Sequence, residues 1–237
     1  MRDRISRAFA PAKVVATALA AVLLLAGTAA NADGGYNRTY EVTITNLTPG
    51  QTFTPQLVAT HSTELALFEL GQPAGDALEV LAEGGDTAPL TELLLASPYE
   101  VADVQTVPGL LGPGQSVTVI VEGTRFERYL SLAAMLIPTN DTFVAIDSMR
   151  LPRYQRSVSA LAYDAGTEAN DQNCLSMPGP RCGGEGYSPG PNEGDEGFVH
   201  VSNGFHSLPA AEVGEVLGPQ VYDWRNPVAR VEVRRIR

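Results

Sequence analysis

Residues 40–46 read Tyr-Glu-Val-Thr-Ile-Thr-Asn, YEVTITN. Tyr40, Val42 and Ile44 fall on one side of an extended chain and Glu41, Thr43 and Thr45 on the other. That period of two marks a half-buried strand, and its β-branched residues suit a pleated surface. Thr48-Pro49-Gly50 stops the run as a turn. The same reading extends outward along the chain. Phe53 to Thr60 is a second strand, and Ser116–Val121 alternates again after the turn Gly112-Pro113-Gly114. Tyr129–Ile137 (YLSLAAMLI) is nearly continuous in apolar residues, as in a central strand buried on both faces. Phe143–Ile146 and Val158–Tyr163 are shorter strands, and the alternating residues 228–236 (VARVEVRRI) form a terminal one.

Between Gly71 and Ser97 the pattern changes. Ala77–Ala82 and Pro89–Leu95 are rich in Ala, Leu and Glu and read as two short helices. Asp86 or Thr87 is placed to cap the second, with Pro89 in its first turn. The expected fold is therefore mainly β, an antiparallel β-sandwich with short helices in one insertion. From Asp164 to Gly197 the residues are mostly Gly, Pro, Asn, Asp and Glu, a long structureless stretch of the kind that usually carries function. Cys174 and Cys182 lie within it and are expected to form a disulfide, worth about 2–3 kcal/mol for so short a loop. Phe198–Val201 resumes strand character before Asn203-Gly204, a hairpin-turn dipeptide.

The amino terminus bears on compartment. Arg2, Arg4, Arg7 and Lys13 precede or flank an apolar run over residues 14–30, and Ala30-Asn31-Ala32 sets small side chains two apart before Asp33. Residues 1–32 are thus expected to be a signal peptide, and residues 33–237 one secreted or periplasmic domain. No later segment is long and apolar enough to span a bilayer as a helix. The leader takes four basic residues and one acid with it, leaving 12 basic against 26 acidic. Such a balance disfavours nucleic acid and attracts cations. Lys13 is the only lysine, so every basic side chain after the leader is an arginine, a planar and bidentate donor.

Acids in turn-rich loops next to strand ends are the most suggestive chemistry. Asp141 closes Pro138-Thr139-Asn140-Asp141 directly after the central strand. Asp164 and Glu168 lie in Tyr163-Asp164-Ala165-Gly166-Thr167-Glu168, after another strand. Gly166 permits a tight bend that turns two carboxylates toward one point, and Asn170 and Asp171 are nearby oxygen donors. Calcium needs several oxygen ligands, and loops are where carboxylates and carbonyls converge. No EF-hand spacing is present, and composition alone favours a solvated acidic loop over a metal site.

The stretch SLAAMLIPTND (131–141), the YDAGTE segment (163–168) and the terminal ARVEVRRI strand resemble the spondin domain of F-spondin and mindin, which also occurs in short exported bacterial proteins. The resemblance implies a β-sandwich of the kind seen in C2 domains, one calcium ion held by its loops, and a role in adhesion or extracellular recognition without catalysis. It carries the metal-ligand role onto Asp141, Asp164 and Glu168. Here Thr139-Asn140-Asp141-Thr142-Phe143 lacks the family's proline and tryptophan, and Glu168 stands where the animal members have Asp. The implied partner is an extracellular or envelope protein or glycan.

A competing expectation uses the three histidines. A hairpin at Asn203-Gly204 would bring His200 and His206 together, and with His61 they would form a transition-metal site of a periplasmic metalloprotein or metalloenzyme. No H-E-x-x-H spacing supports it. Ser131, Ser148 and Ser202 lie in no G-x-S-x-G context, and no phosphate loop appears. The single tryptophan, Trp224, reads as a packing anchor, and Arg125, Phe126 and Arg128 as a small basic-aromatic patch.

Overall fold

The structure is a computed structural model that describes residues 37–237. The signal peptide expected at residues 1–32 lies outside the described residues. In chain order the elements are β1 (Arg38–Asn46), β2 (Thr52–Phe53), β3 (Gln56–His61), α1 (Asp76–Gly84), α2 (Ala88–Leu95), β4 (Val101–Val107) and β5 (Ser116–Gly123). There follow β6 (Tyr129–Ile137), β7 (Thr142–Arg150), β8 (Gln155–Asp164), β9 (His200–Val201), α3 (Pro219–Tyr222) and β10 (Ala229–Arg235). No helix among the described residues is long and apolar enough to cross a membrane.

The strands form one antiparallel sheet in the order β4-β3-β6-β7-β8-β10-β1-β5, with β2 added to β6 and β9 to β8. The terminal strand β10 fits between β8 and β1, pairing Val233 with Val42 and Arg156, and Val231 with Ile44 and Val158. The two edges of this order then approach each other. The Glu122 amide on β5 donates to the Asp103 carboxylate on β4 at 2.8 Å, and the Thr60 hydroxyl on β3 donates to the Glu122 carbonyl. The result is a nearly closed sandwich, which leaves little unpaired strand edge.

Alternation sorts side chains into two cores. Tyr40, Val42 and Ile44 point into the interior, with Leu132, Ala134 and Leu136 of β6 and Val231 and Val233 of β10. On the outer face Leu57, Ala59, Ala133, Phe143 and Ala145 are covered by Leu78 and Leu81 of α1 and Leu90 and Leu94 of α2. The helices explain why β6 is apolar without interruption: both of its faces are buried. Each fully buried leucine contributes roughly 1.5–3 kcal/mol relative to exposure. In α1 the buried Leu78, Leu81 and Ala82 follow the i, i+3, i+4 spacing of one helical face. At the start of α2 the Asp86 carboxylate accepts the Ala88 amide at 2.9 Å, and Thr87 makes no capping bond.

Three expectations change. Phe53–Thr60 is interrupted at Thr54-Pro55 and becomes β2 and β3. Strand β4 was not anticipated from VADVQTV, because as a polar, half-exposed edge it lacks a clean apolar face. The hairpin at Asn203-Gly204 does not form. Gly204 adopts φ +74°, with Asp223 Oδ1 only 2.5 Å from where a β-carbon would sit. The Phe205 amide donates to that same oxygen at 3.1 Å, and the Phe205 ring packs on buried Trp224. Tertiary contacts thus lead the chain away from β9, and Trp224 is the packing anchor expected. Cys174 and Cys182 form the expected disulfide against the inner core.

Candidate metal centre

The connection between β6 and β7 has only four residues, and Thr139, Asn140 and Asp141 in it are nearly inaccessible. The excursion that follows β8 lies over them. Asn140 donates to Asp171 Oδ1 at 3.0 Å and accepts the Gln172 amide at 3.3 Å, and the Asp141 carbonyl accepts the Ala165 amide at 3.2 Å. Asp141 is therefore a surface-type residue forced inside.

Its two carboxylate oxygens differ sharply. Oδ2 accepts the amides of Thr167 at 2.7 Å and Glu168 at 3.0 Å and the Thr167 hydroxyl at 3.3 Å. Oδ1 is buried with no hydrogen-bond partner among the described residues. Asp164, 1% exposed, ends β8 opposite Thr142 and His200. It accepts the Gly166 amide at 3.0 Å on Oδ1 and the Asn170 side-chain amide at 3.0 Å on Oδ2. Gly166 makes this turn possible. It holds φ +68°, and a β-carbon would lie 2.3 Å from the Phe198 carbonyl oxygen.

Glu168 contributes its amide to Asp141 but sends its side chain toward Ser188, whose hydroxyl donates to Oε1 at 2.9 Å. Its Oε2 is buried with no hydrogen-bond partner among the described residues. Ser188 also donates its amide to Oε2 of Glu83, on α1, at 3.0 Å. Glu83 is fully buried, and its Oε1 has no partner among the described residues.

Burial dominates the electrostatics of all four acids. It pushes the Asp141 carboxyl well above the usual range, the Asp164 charge pushes it further, and the two amide bonds only partly oppose this. Burial raises Asp164 as well, offset by Asn170 and His200. Glu168 is pushed up to about 8, first by burial and then by the charges of Glu83, Asp171 and Glu185. Glu83 is likewise raised by burial. Carboxylates this enclosed are disfavoured as bare anions, and a cation among them would reverse the sign of that effect. The donor set fits a hard divalent ion: carboxylate oxygens from separate loops, and a buried Oδ1 on Asp141 that no other described residue satisfies.

Asp141, Asp164 and Glu168 thus share one neighbourhood, tied together by Asp141. The side chains whose ligand atoms all come within 4.8 Å of one another are a different trio: Asp164, Glu196 and His200. His200 Nε2 lies 3.4 Å from Asp164 Oδ1 and 3.9 Å from Glu196 Oε2, and Asn170 bridges Asp164 and Glu196. Neither Glu196 nor Glu83 was anticipated from the sequence. The one available signal was Glu196 standing four residues before His200.

The expected cluster of His61, His200 and His206 does not form. His61 ends β3 opposite Tyr129, at the far end of the sheet from Asp164, and is fully buried. Its ring nitrogens lie 2.7 Å from the Ser131 hydroxyl and 2.7 Å from the Ser62 carbonyl. His206 is exposed, and Gln172 holds its main chain. Without the hairpin there is nothing to turn His206 back toward His200.

The family model described as Spondin_N, the spondin amino-terminal domain, matches residues 36–174. The match takes in β1 to β8 and the acids Asp141, Asp164 and Glu168. It ends before Glu196, His200 and β10, so the terminal strand lies outside the matched stretch. No curated protein matches the chain as a relative. With more than half its length covered by that match, the chain belongs to the spondin amino-terminal domain family.

Proposed function

We propose that this domain is an exported, non-enzymatic recognition module whose acidic loops hold one calcium ion through Asp141, Asp164 and Glu168. Family membership supports an extracellular recognition role, and the disulfide suits an oxidising compartment. The observation that carries the metal assignment is the fully buried Asp141 carboxylate, with one oxygen held by three donors and the other facing no partner among the described residues. An ion there joins the β6–β7 connection to the loop after β8, and so shapes the surface offered to an extracellular or envelope protein or glycan. The test is thermal melting of the chelator-treated, dialysed protein with and without millimolar calcium. A specific ligand of the native state raises the melting temperature by mass action, and Asp141→Asn abolishes that increment. An equal response in wild type and variant would remove the assignment.

One observation favours a second reading, a transition-metal site at Asp164, Glu196 and His200, since those three ligand groups already converge. An imidazole with two carboxylates suits zinc or copper better than calcium. Elemental analysis after dialysis separates the two readings. Zinc or copper retained in Asp141→Asn and lost in His200→Ala supports the second, and calcium with the reverse dependence supports the first.

A further inference from the structure

The end of the sheet opposite the acidic loops has the opposite charge. Arg38 opens β1 and Arg235 closes β10, with Tyr40 and Arg235 in register. Arg125 and Arg128 come from the connection between β5 and β6, and Arg150 ends β7 opposite Tyr129. Arg153 and Arg156 come from the β7–β8 turn and the start of β8. These seven arginines line one cleft of about 750 Å³ together with Leu151 and Pro152, and no acid among the described residues lines it. They are seven of the twelve arginines after residue 32, in a chain whose net charge is −11.

Arginines in so acidic a chain would ordinarily find carboxylates. Four of the five outside the cleft do: Arg181 pairs with Glu215, Arg225 with Asp223, Arg230 with Glu232 and Arg234 with Glu41. Among the described residues no ion pair joins Arg38, Arg128, Arg150, Arg153 or Arg156 to an acidic side chain. The Arg235 side chain donates Nε–H to the main-chain oxygen of Arg237 at 2.9 Å. At the rim, Arg125 lies over the exposed Phe126 ring at 4.4 Å and Arg153 near the exposed Tyr154 ring at 5.3 Å. Such stacking holds the plane of a guanidinium in place.

We propose that this cleft binds a discrete polyanion, a compact ligand bearing several phosphate or sulfate groups. The physical reason is charge balance. Arg38, Arg128, Arg150, Arg153 and Arg156, from three separate parts of the chain, are gathered with no acidic side chain paired to them among the described residues, and each is a fork suited to bidentate binding of an oxyanion. The concave shape and volume suit a small ligand, whose sites span roughly 300–1,000 Å³, rather than a flat bilayer. The acidic remainder of the surface repels a long polyanion beyond the cleft. This site is independent of the metal-binding proposal and lies about a strand length, ~30 Å, from the acidic loops.

The probe is myo-inositol hexakisphosphate, titrated calorimetrically into metal-stripped protein, because the probe itself chelates divalent ions. Wild type is expected to bind it, more weakly as salt rises. Binding should fall at least tenfold in Arg150→Gln/Arg156→Gln. It should be nearly unchanged in Arg230→Gln/Arg234→Gln, which removes the same charge outside the cleft. All substituted side chains are largely solvent-facing, so melting curves should confirm intact folding in both variants. Equal losses in the two variants would show diffuse attraction and overturn the proposal, as would absence of binding. So would co-sedimentation with phosphatidylglycerol vesicles that the soluble probe does not compete away.

Discussion

Glu168→Gln should stabilise the metal-free protein, although it removes a charged side chain from the acidic loops. The Glu168 carboxyl is raised from the ordinary 4.5 to about 8, first by burial and then by neighbouring acids. In the folded state it therefore holds its proton over a range in which the unfolded chain has released it. Below about pH 4.5 both states are protonated and glutamine and glutamate should be equivalent. Between 4.5 and 8 the wild type should lose stability steadily, and above 8 the loss should be complete. At about 1.4 kcal/mol per pH unit the full shift corresponds to about 5 kcal/mol. The loop keeps some contact with water, which screens the charge, so roughly 2 kcal/mol is the working figure. For a domain of this size that is about 4–8 °C in melting temperature. Glutamine keeps the oxygen that accepts the Ser188 hydroxyl and carries no charge to desolvate. The assay is melting of both proteins in excess chelator from pH 4.5 to 8.5, repeated in saturating calcium. In chelator the curves should diverge toward high pH with the variant above. In calcium the gap should close or invert, because the wild-type carboxylate then has a cation. Parallel curves in chelator across the whole range would refute the burial argument for Glu168.

Gly166→Ala should destabilise the fold by more than about 2 kcal/mol in urea unfolding, since the new side chain meets both a left-handed backbone and the Phe198 carbonyl. It should also weaken any calcium-dependent rise in melting temperature, because the bend it disturbs aims Asp164 and Glu168. His61→Ala should cost about 2–4 kcal/mol through a buried cavity and the lost contacts to Ser131 and Ser62, while leaving metal content unchanged. Loss of bound metal in that variant, with folding intact, would show that His61 acts beyond packing.

What could be read directly from the chain was whatever repeats over a few residues. The alternation in YEVTITN, the unbroken apolar run of β6 and the Ala-Leu-Glu character of α1 and α2 are local patterns, and each maps to an element of the structure. Strand β4 escaped because an edge strand packs too little of itself to impose a pattern. The hairpin at Asn203-Gly204 failed because a turn dipeptide states only a local preference, which contacts with Asp223 and Trp224 override. In the acidic loops, YDAGTE announced Asp164, Gly166 and Glu168, since the glycine and the carboxylates lie within one turn of chain.

Partnership over long separations was decided only by the tertiary fold. Strand register sets His200 opposite Asp164, the packing of α1 buries Glu83 beside Ser188, and the bonds of Asp141 reach 26 and 27 residues along the chain. The arginine cleft is the clearest case, because Arg38 and Arg235 become neighbours only when the terminal strand slots in beside the first. Short-range periodicity is fixed by backbone geometry and hydrophobicity and can be read without a fold. Which distant charges share a dielectric environment depends on strand order and register, and these follow from the minimum of the whole chain's free energy rather than from any one segment.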